Sequence, residues 1–223
     1  MREGGPVEEW LLGFDVRELW LDVGREWPES RRGRYLLRED VRKPLAVDTA
    51  VWPSLFGEGL PESEYERLGL REAALPAWRG PNAPLWDDLE RMKGCLETLG
   101  AAREEPHALI AVSVFWDGRP AEGTWSGVPY RERTEPSVRG EGWKLLGFDV
   151  GDGGFISGLA NCGYTEPEAR EFRRDWAERL NEHHLLGELE QALEFRDLSD
   201  RRVPEHAPFF VWGLWLIDGV GSR

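Results

Sequence analysis

Residues Leu145–Val150 read LLGFDV, and the same six residues stand in the same order at Leu11–Val16. In both copies an apolar run closes on Asp-Val, as expected of a buried strand that ends near the margin of a sheet. The second copy leads into GDGGFISGLANCGY, residues 151–164, whereas the first leads into RELWLD, so the flanks do not match. A separation of roughly 130 residues also exceeds the period of the common repeat families. The repeat is therefore read as two similar buried strands, with an ancient duplication as the alternative.

Working outward from the second copy, KLLGFDV and FISGLA flank GDGG, and Asp-Gly between apolar runs signals a hairpin. The β-branched run HALIAVSVFWDG, His107–Gly118, reads as a central strand with its turn at Asp117–Gly118. PFFVWGLWLID, Pro208–Asp218, is apolar at successive positions, the pattern of a strand buried on both faces. Glu9–Asp22 reads as one strand or as two bent at Arg17–Glu18, and Leu45–Trp52 as another.

Helical spacing is clearest at Leu85, Leu89, Met92, Leu96 and Leu99. Pro84 suits the first turn of that helix, Asp87 and Asp88 its positive end, and Gly100 its stop. Thr165 and Glu168 fit a capping box ahead of a stripe at Ala169, Phe172, Trp176 and Leu180. A further helix near Gly187–Leu198 turns Leu189 and Leu193 inward, and Glu62–Leu75 forms a weaker one. The expected fold class is α+β: a mixed or antiparallel sheet of at least four strands, with three or four helices packed on it. Residues 1–223 read as one domain, with a two-lobed division near residues 103–107 as the alternative.

The chain has 223 residues, enough to bury about 70% of the surface of its unfolded form without a disulfide or a metal. Its two cysteines, Cys95 and Cys162, form no CxxC pair, which points to a reducing, cytoplasmic setting. The N-terminal MREGGPVEEW lacks the apolar core of a secretory signal, and no apolar run approaches the roughly 20 residues that span a membrane. A formal net charge of −14 repels phosphate backbones, so nucleic acid is excluded as the expected ligand and a basic protein is favoured. Arginine supplies nearly all of the 28 basic residues, a bias that GC-rich codons would produce.

No motif names a chemistry. The glycines of GDGGFISG resemble a phosphate loop, but no Lys follows and Asp152 sets a negative charge where phosphate would lie. Asp149 and Asp152 have neither the alternate spacing nor the distal Glu of a calcium loop. His183 and His184 diverge by about 100° on a helix, so they read as a helix end rather than as joint metal ligands. No metal or cofactor is expected.

The catalytic candidates are Asp149, Cys162, His183, His184 and His206, a thiol, a carboxylate and possible bases crowded into the C-terminal third. Ser157 lacks the glycine spacing of a nucleophile elbow. The binding candidates are Trp116, Asp117, Glu122 and Trp125, where aromatics flank carboxylates, together with Asp152 and Asn161.

Three function classes follow. The first is a non-catalytic acidic binding protein of the bacterial cytoplasm, of the general kind of small acidic immunity proteins that neutralise toxins. The second is a hydrolase-like enzyme with its site in the C-terminal third. The third is a small-molecule or carbohydrate-binding module that uses Trp116 and Trp125.

Overall fold

In the computed structural model, the described residues are 7–18, 78–79, 84–85, 88–90, 92–94, 107–117, 139–152, 157–158, 175–181, 183 and 185–217. They form four long strands, β1 (Glu8–Glu18), β4 (His107–Trp116), β5 (Lys144–Gly151) and β6 (Phe210–Leu216). Two short strands, β2 (Trp78–Arg79) and β3 (Pro84–Leu85), pair separately as an antiparallel ribbon. One long helix, α1 (Leu189–Arg202), joins β5 to β6. The four-stranded sheet runs β1-β4-β6-β5, and every neighbouring pair is antiparallel.

β4 and β6 hold the centre because both are apolar on both faces. Leu109, Ala111, Val211 and Trp215 enter one core, joined there by Phe14, Phe148 and Phe195. Ile110, Val112, Trp212 and Leu214 enter the other, joined by Leu12 and Leu146. The two copies of LLGFDV are the outer strands. Each carries a bulge, between Leu11 and Gly13 in β1 and between Leu145 and Gly147 in β5. A bulge adds one residue against the partner strand. It lets the two adjacent leucines turn to opposite cores while Phe14 and Phe148 still reach the same core as Leu11 and Leu145.

The sheet matches expectation in direction and strand number, but the expectation of three or four packed helices is wrong. Among the described residues two helices have defined limits, α1 and a single 3-10 turn at Ala177–Arg179. The stripe through Trp176 and Leu180 does not continue as a helix, because Leu180 instead bridges Leu186. Asn181 explains the change. Its side-chain Oδ1 accepts from the backbone N–H groups of His183 (2.9 Å) and Leu185 (3.2 Å), an Asn turn that competes with helix. Its Nδ2 donates to the Leu146 carbonyl at the bulge (2.6 Å). Asn181, His183 and Leu185 thus belong to a turn locked to β5, not to a helix end, and Glu182 and His184 lie outside the described residues.

Pro84 and Leu85 likewise belong to β3, not to a first helical turn. Helical backbone is present at residues 89–90 and 92–94, where Asp88 Oδ1 caps by accepting from Glu90 N–H (2.9 Å). α1 starts and ends later than its apolar spacing suggests, because its buried face includes Arg196 and Ser199 beside Ala192 and Phe195. The chain does return against the end of β5: Gly151 bridges Ser157, and Gly158 N–H donates to the Val150 carbonyl (2.6 Å), while the GDGG turn itself lies partly outside the described residues. That contact is a single bridge, and the ladder partner of β5 is β6. The stretches around Leu45–Trp52, Glu62–Leu75 and Thr165–Phe172 lie outside the described residues.

Together with Leu186, which exchanges two backbone bonds with Phe148 (2.8 and 2.9 Å), Ser157 and Gly158 cover the outer edge of β5. This blunts a strand that would otherwise offer unpaired backbone groups. Gly147 makes the covering possible. It adopts φ +147°, and a Cβ there would lie 2.6 Å from Leu185 Cβ and 2.9 Å from the Leu186 carbonyl oxygen. Gly147→Ala is therefore expected to lower stability by about 1–3 kcal/mol through overpacking. Urea denaturation measures it, and a neutral substitution would show that the Leu185–Leu186 segment does not hold β5 this tightly.

Candidate functional site

The strand register brings the candidate residues to one end of the sheet. Phe115 lies opposite Val211, and Gly151 opposite Phe210. Asp117 and Asp152, each one residue past its strand, therefore flank the chain entering β6, with Trp116 and Glu8 paired beside them. α1 delivers Arg196 to this end, and the turn after α1 delivers His206.

That turn is shaped by backbone bonds from His206 N–H to the Val203 carbonyl (3.0 Å) and from Ala207 N–H to the Pro204 carbonyl (3.3 Å). Asp200 then hooks the strand start, its Oδ1 accepting from Phe209 N–H (2.7 Å). His206 Nδ1 consequently lies 3.1 Å from Asp152 Oδ2. Asp152 is 1% exposed and His206 36%, so a buried carboxylate backs an imidazole at the protein surface. Held by Nδ1, the ring directs Nε2 away from the carboxylate, the orientation that serves a general base.

Beside this pair, Arg196 Nη1 meets Asp117 Oδ2 at 3.1 Å, and the same guanidinium donates twice to Asp197 Oδ1. Their side chains are 7% and 17% exposed, so this ion pair between α1 and the end of β4 is largely withdrawn from water. Asp149 is fully buried. Its Oδ1 accepts from Val150 N–H (2.8 Å) and from the Ser157 hydroxyl (2.6 Å). The Ser157 hydroxyl is thereby directed at Asp149, as a tie between β5 and the returning chain.

A second polar cluster lies on the core shared with α1. Trp215 Nε1 donates to Ser113 Oγ (2.9 Å), and Ser113 donates to Glu9 Oε1 (2.8 Å). Arg139 donates to Glu9 Oε2 (2.7 Å) and lies 4.2 Å over the Trp215 ring, closing the circuit. It joins β1, β4 and β6 to the approach to β5.

The structure thus unites Asp152 with His206, and sets Trp116 and Asp117 at the same end of the sheet. It does not unite the histidines. His183 sits in the Asn181 turn, level with Leu146, while His206 is level with Asp152, roughly 15–20 Å further along β5 at about 3.3 Å per residue. Trp116, expected as an exposed anchor, is half-buried and packs edge-on against Trp10 with ring centroids 6.0 Å apart. Glu122, Trp125, Asn161, Cys162 and His184 lie outside the described residues.

Arg196, Asp200, Asn181 and Ser157 were not legible as partners. The one available signal was an Arg and a Ser at the inward spacing of a helix that otherwise buries Ala192 and Phe195. Among the described residues no group of three or more His, Cys, Asp or Glu is arranged to hold a metal ion. No helix among them is long and apolar enough to cross a membrane.

These pairs have measurable consequences. Asp149→Ala removes the acceptor that the Ser157 hydroxyl and the Val150 N–H share in a buried site, and Asp117→Ala removes the carboxylate that ties Arg196 to the end of β4. Each is expected to cost about 1–3 kcal/mol in denaturant melts. An unchanged midpoint for either would show that water or a neighbouring group replaces the lost oxygen. In comparisons with protein-family models, with curated proteins and with solved structures, nothing matches this chain.

Proposed function

We propose that the protein is a non-catalytic acidic binding protein that engages a basic protein partner, in the manner of an immunity-type inhibitor of a basic bacterial toxin. The observation that carries this reading is the outer face of α1. Glu190, Glu194 and Asp197 are exposed at helical spacing, with exposed Glu188 just ahead of them and Glu178 in the preceding 3-10 turn. Arg179 pairs with Glu194 (2.9 Å) and Arg196 with Asp197 (2.8 Å), which offsets part of this charge. The rest adds to a chain of net charge −14. Such a field speeds encounter with a cationic partner and penalises anionic ones. At the sheet end, by contrast, the buried carboxylates are committed to internal partners that hold the fold. Two cysteines without a CxxC pair suit a cytoplasmic location.

A second reading, a hydrolase-like enzyme, is favoured by one observation, the Asp152–His206 pair with the imidazole at the surface. The two readings separate experimentally. In the binding reading, reversing the charge of Glu188, Glu190 and Glu194 together to Lys weakens the partner complex by about tenfold or more. High salt has a similar effect, because surface charges are screened. Calorimetric titration with a purified basic partner measures both. His206→Gln should leave that affinity unchanged while abolishing any ester or amide hydrolysis. Salt-independent binding would sink the first reading, and hydrolysis that survives His206→Gln would sink the second.

A further inference from the structure

The two copies of LLGFDV occupy equivalent places in the sheet, and the equivalence extends to strands whose sequences differ. Leu11 lies opposite Ser113, and Leu145 opposite Trp215. After the bulge, Gly13 faces Val112 and Gly147 faces Leu214. Phe14 and Phe148 then face Ala111 and Gly213, and Asp15 and Asp149 face Ile110 and Trp212. In every case the partner on β6 stands 102 positions beyond the partner on β4, the separation of Ser113 and Trp215.

The central pairing obeys the same relation. Val112 faces Leu214, its own counterpart. On either side the partners exchange: Ala111 faces Trp215 while Ser113 faces Gly213, and Ile110 faces Leu216 while Val114 faces Trp212. Antiparallel strands always exchange partners in this way, so this pairing adds no evidence of its own but fixes where a two-fold axis would lie: through the Val112–Leu214 pair, perpendicular to the sheet. Met92 and Phe195, helical and fully buried, precede β4 and β6 at nearly equal distances and enter the same core. An axis perpendicular to the sheet requires that, because it leaves each face on its own side.

Two unrelated strands of similar composition have no reason to agree this far. A slip of one residue in either outer pair would send its whole apolar set to the opposite face, and a bulge can fall at any position along a strand. Here the identity of six residues, the position of the bulge and the core that each residue enters all agree between the two copies.

We infer that the chain is an internal dimer. Two halves, one holding β1 and β4 and the other β5 and β6, each contribute an outer and a central strand, and the β4–β6 contact is the former interface between two copies of a shorter ancestor. The partner that the inner edge of β4 fits is thus a second copy of its own half, supplied by the same chain.

The test begins with the full-length folded protein, carrying a single protease site in the connection between Asp117 and Arg139. After cleavage the halves should remain a 1:1 complex at unchanged elution volume and circular dichroism. They should recover that state after denaturation and dilution, with a melting temperature that now depends on concentration. Separation or aggregation of the fragments on cleavage would overturn the internal dimer. Equivalence of the halves has its own readout. Leu12→Val and Leu146→Val, mild substitutions at the two bulges, should lower the melting temperature of the uncut protein by amounts within a factor of two. A clear fall for one with none for the other would overturn the equivalence.

Discussion

Everything described rests on one pairing, that of β4 with β6. Each strand is apolar at successive positions, so each needs cover on both faces and a hydrogen-bonded neighbour on both edges. Their mutual pairing meets the need on one edge, and β1 and β5 meet it on the other. The two cores follow from the same fact. One lies under α1 and holds Phe195 and Trp176 edge-on at 4.9 Å, and the other gathers Trp212, Phe210 and Leu185. A charge introduced at Val112 or Leu214 would stand at the centre of the sheet with no water and no partner within reach.

Polar groups enter this apolar framework only where they join elements. Ser113 and Glu9 fasten β1 to β4, Asp149 and Ser157 fasten the chain that returns from GDGG, and Arg196 and Asp117 fasten α1 to the end of β4. Burial makes each such pair more costly to break than its net contribution suggests, because the abandoned partner stays out of water. Asp152 and His206 are built in the same way, but their location differs. The carboxylate is buried and the imidazole reaches the surface, so this pair can both hold the turn after α1 and present a ring to another molecule.

The strands were legible because their signals are local. Successive apolar residues at Leu109–Phe115 and Phe209–Ile217 admit few other readings. The bulges were not, since an extra residue is defined only against a partner strand. The helices were overcounted because apolar spacing ignores competition from side chains. Asn181 takes the backbone N–H groups of His183 and Leu185 and ends the helical path that Trp176 begins. At the candidate site, Asp152 and His206 stood out as residue types, but their meeting depends on the Gly151–Phe210 register and on the Asp200 hook at Phe209. Arg196 gave only its inward spacing with Ala192 and Ser199, a weak sign because a charged residue on a helix is ordinarily a solvated one.

The two-fold relation also sharpens what is special about the site. If the halves share a framework, features that obey the symmetry belong to the fold, and features that break it are where the halves have diverged. The bulges, the phenylalanines at Phe14 and Phe148 and the central register obey it. The Arg196–Asp117 and Asp152–His206 pairs do not, for by the same offsets Arg196 and Asp117 answer to Gly94 and Gly219, and Asp152 and His206 to Glu18 and Glu104. Departure from symmetry is concentrated where β5 ends and α1 hands the chain to β6. There the ties that hold α1 and its following turn are particular to one half, and one of them, Asp152 with His206, also sets an imidazole at the surface.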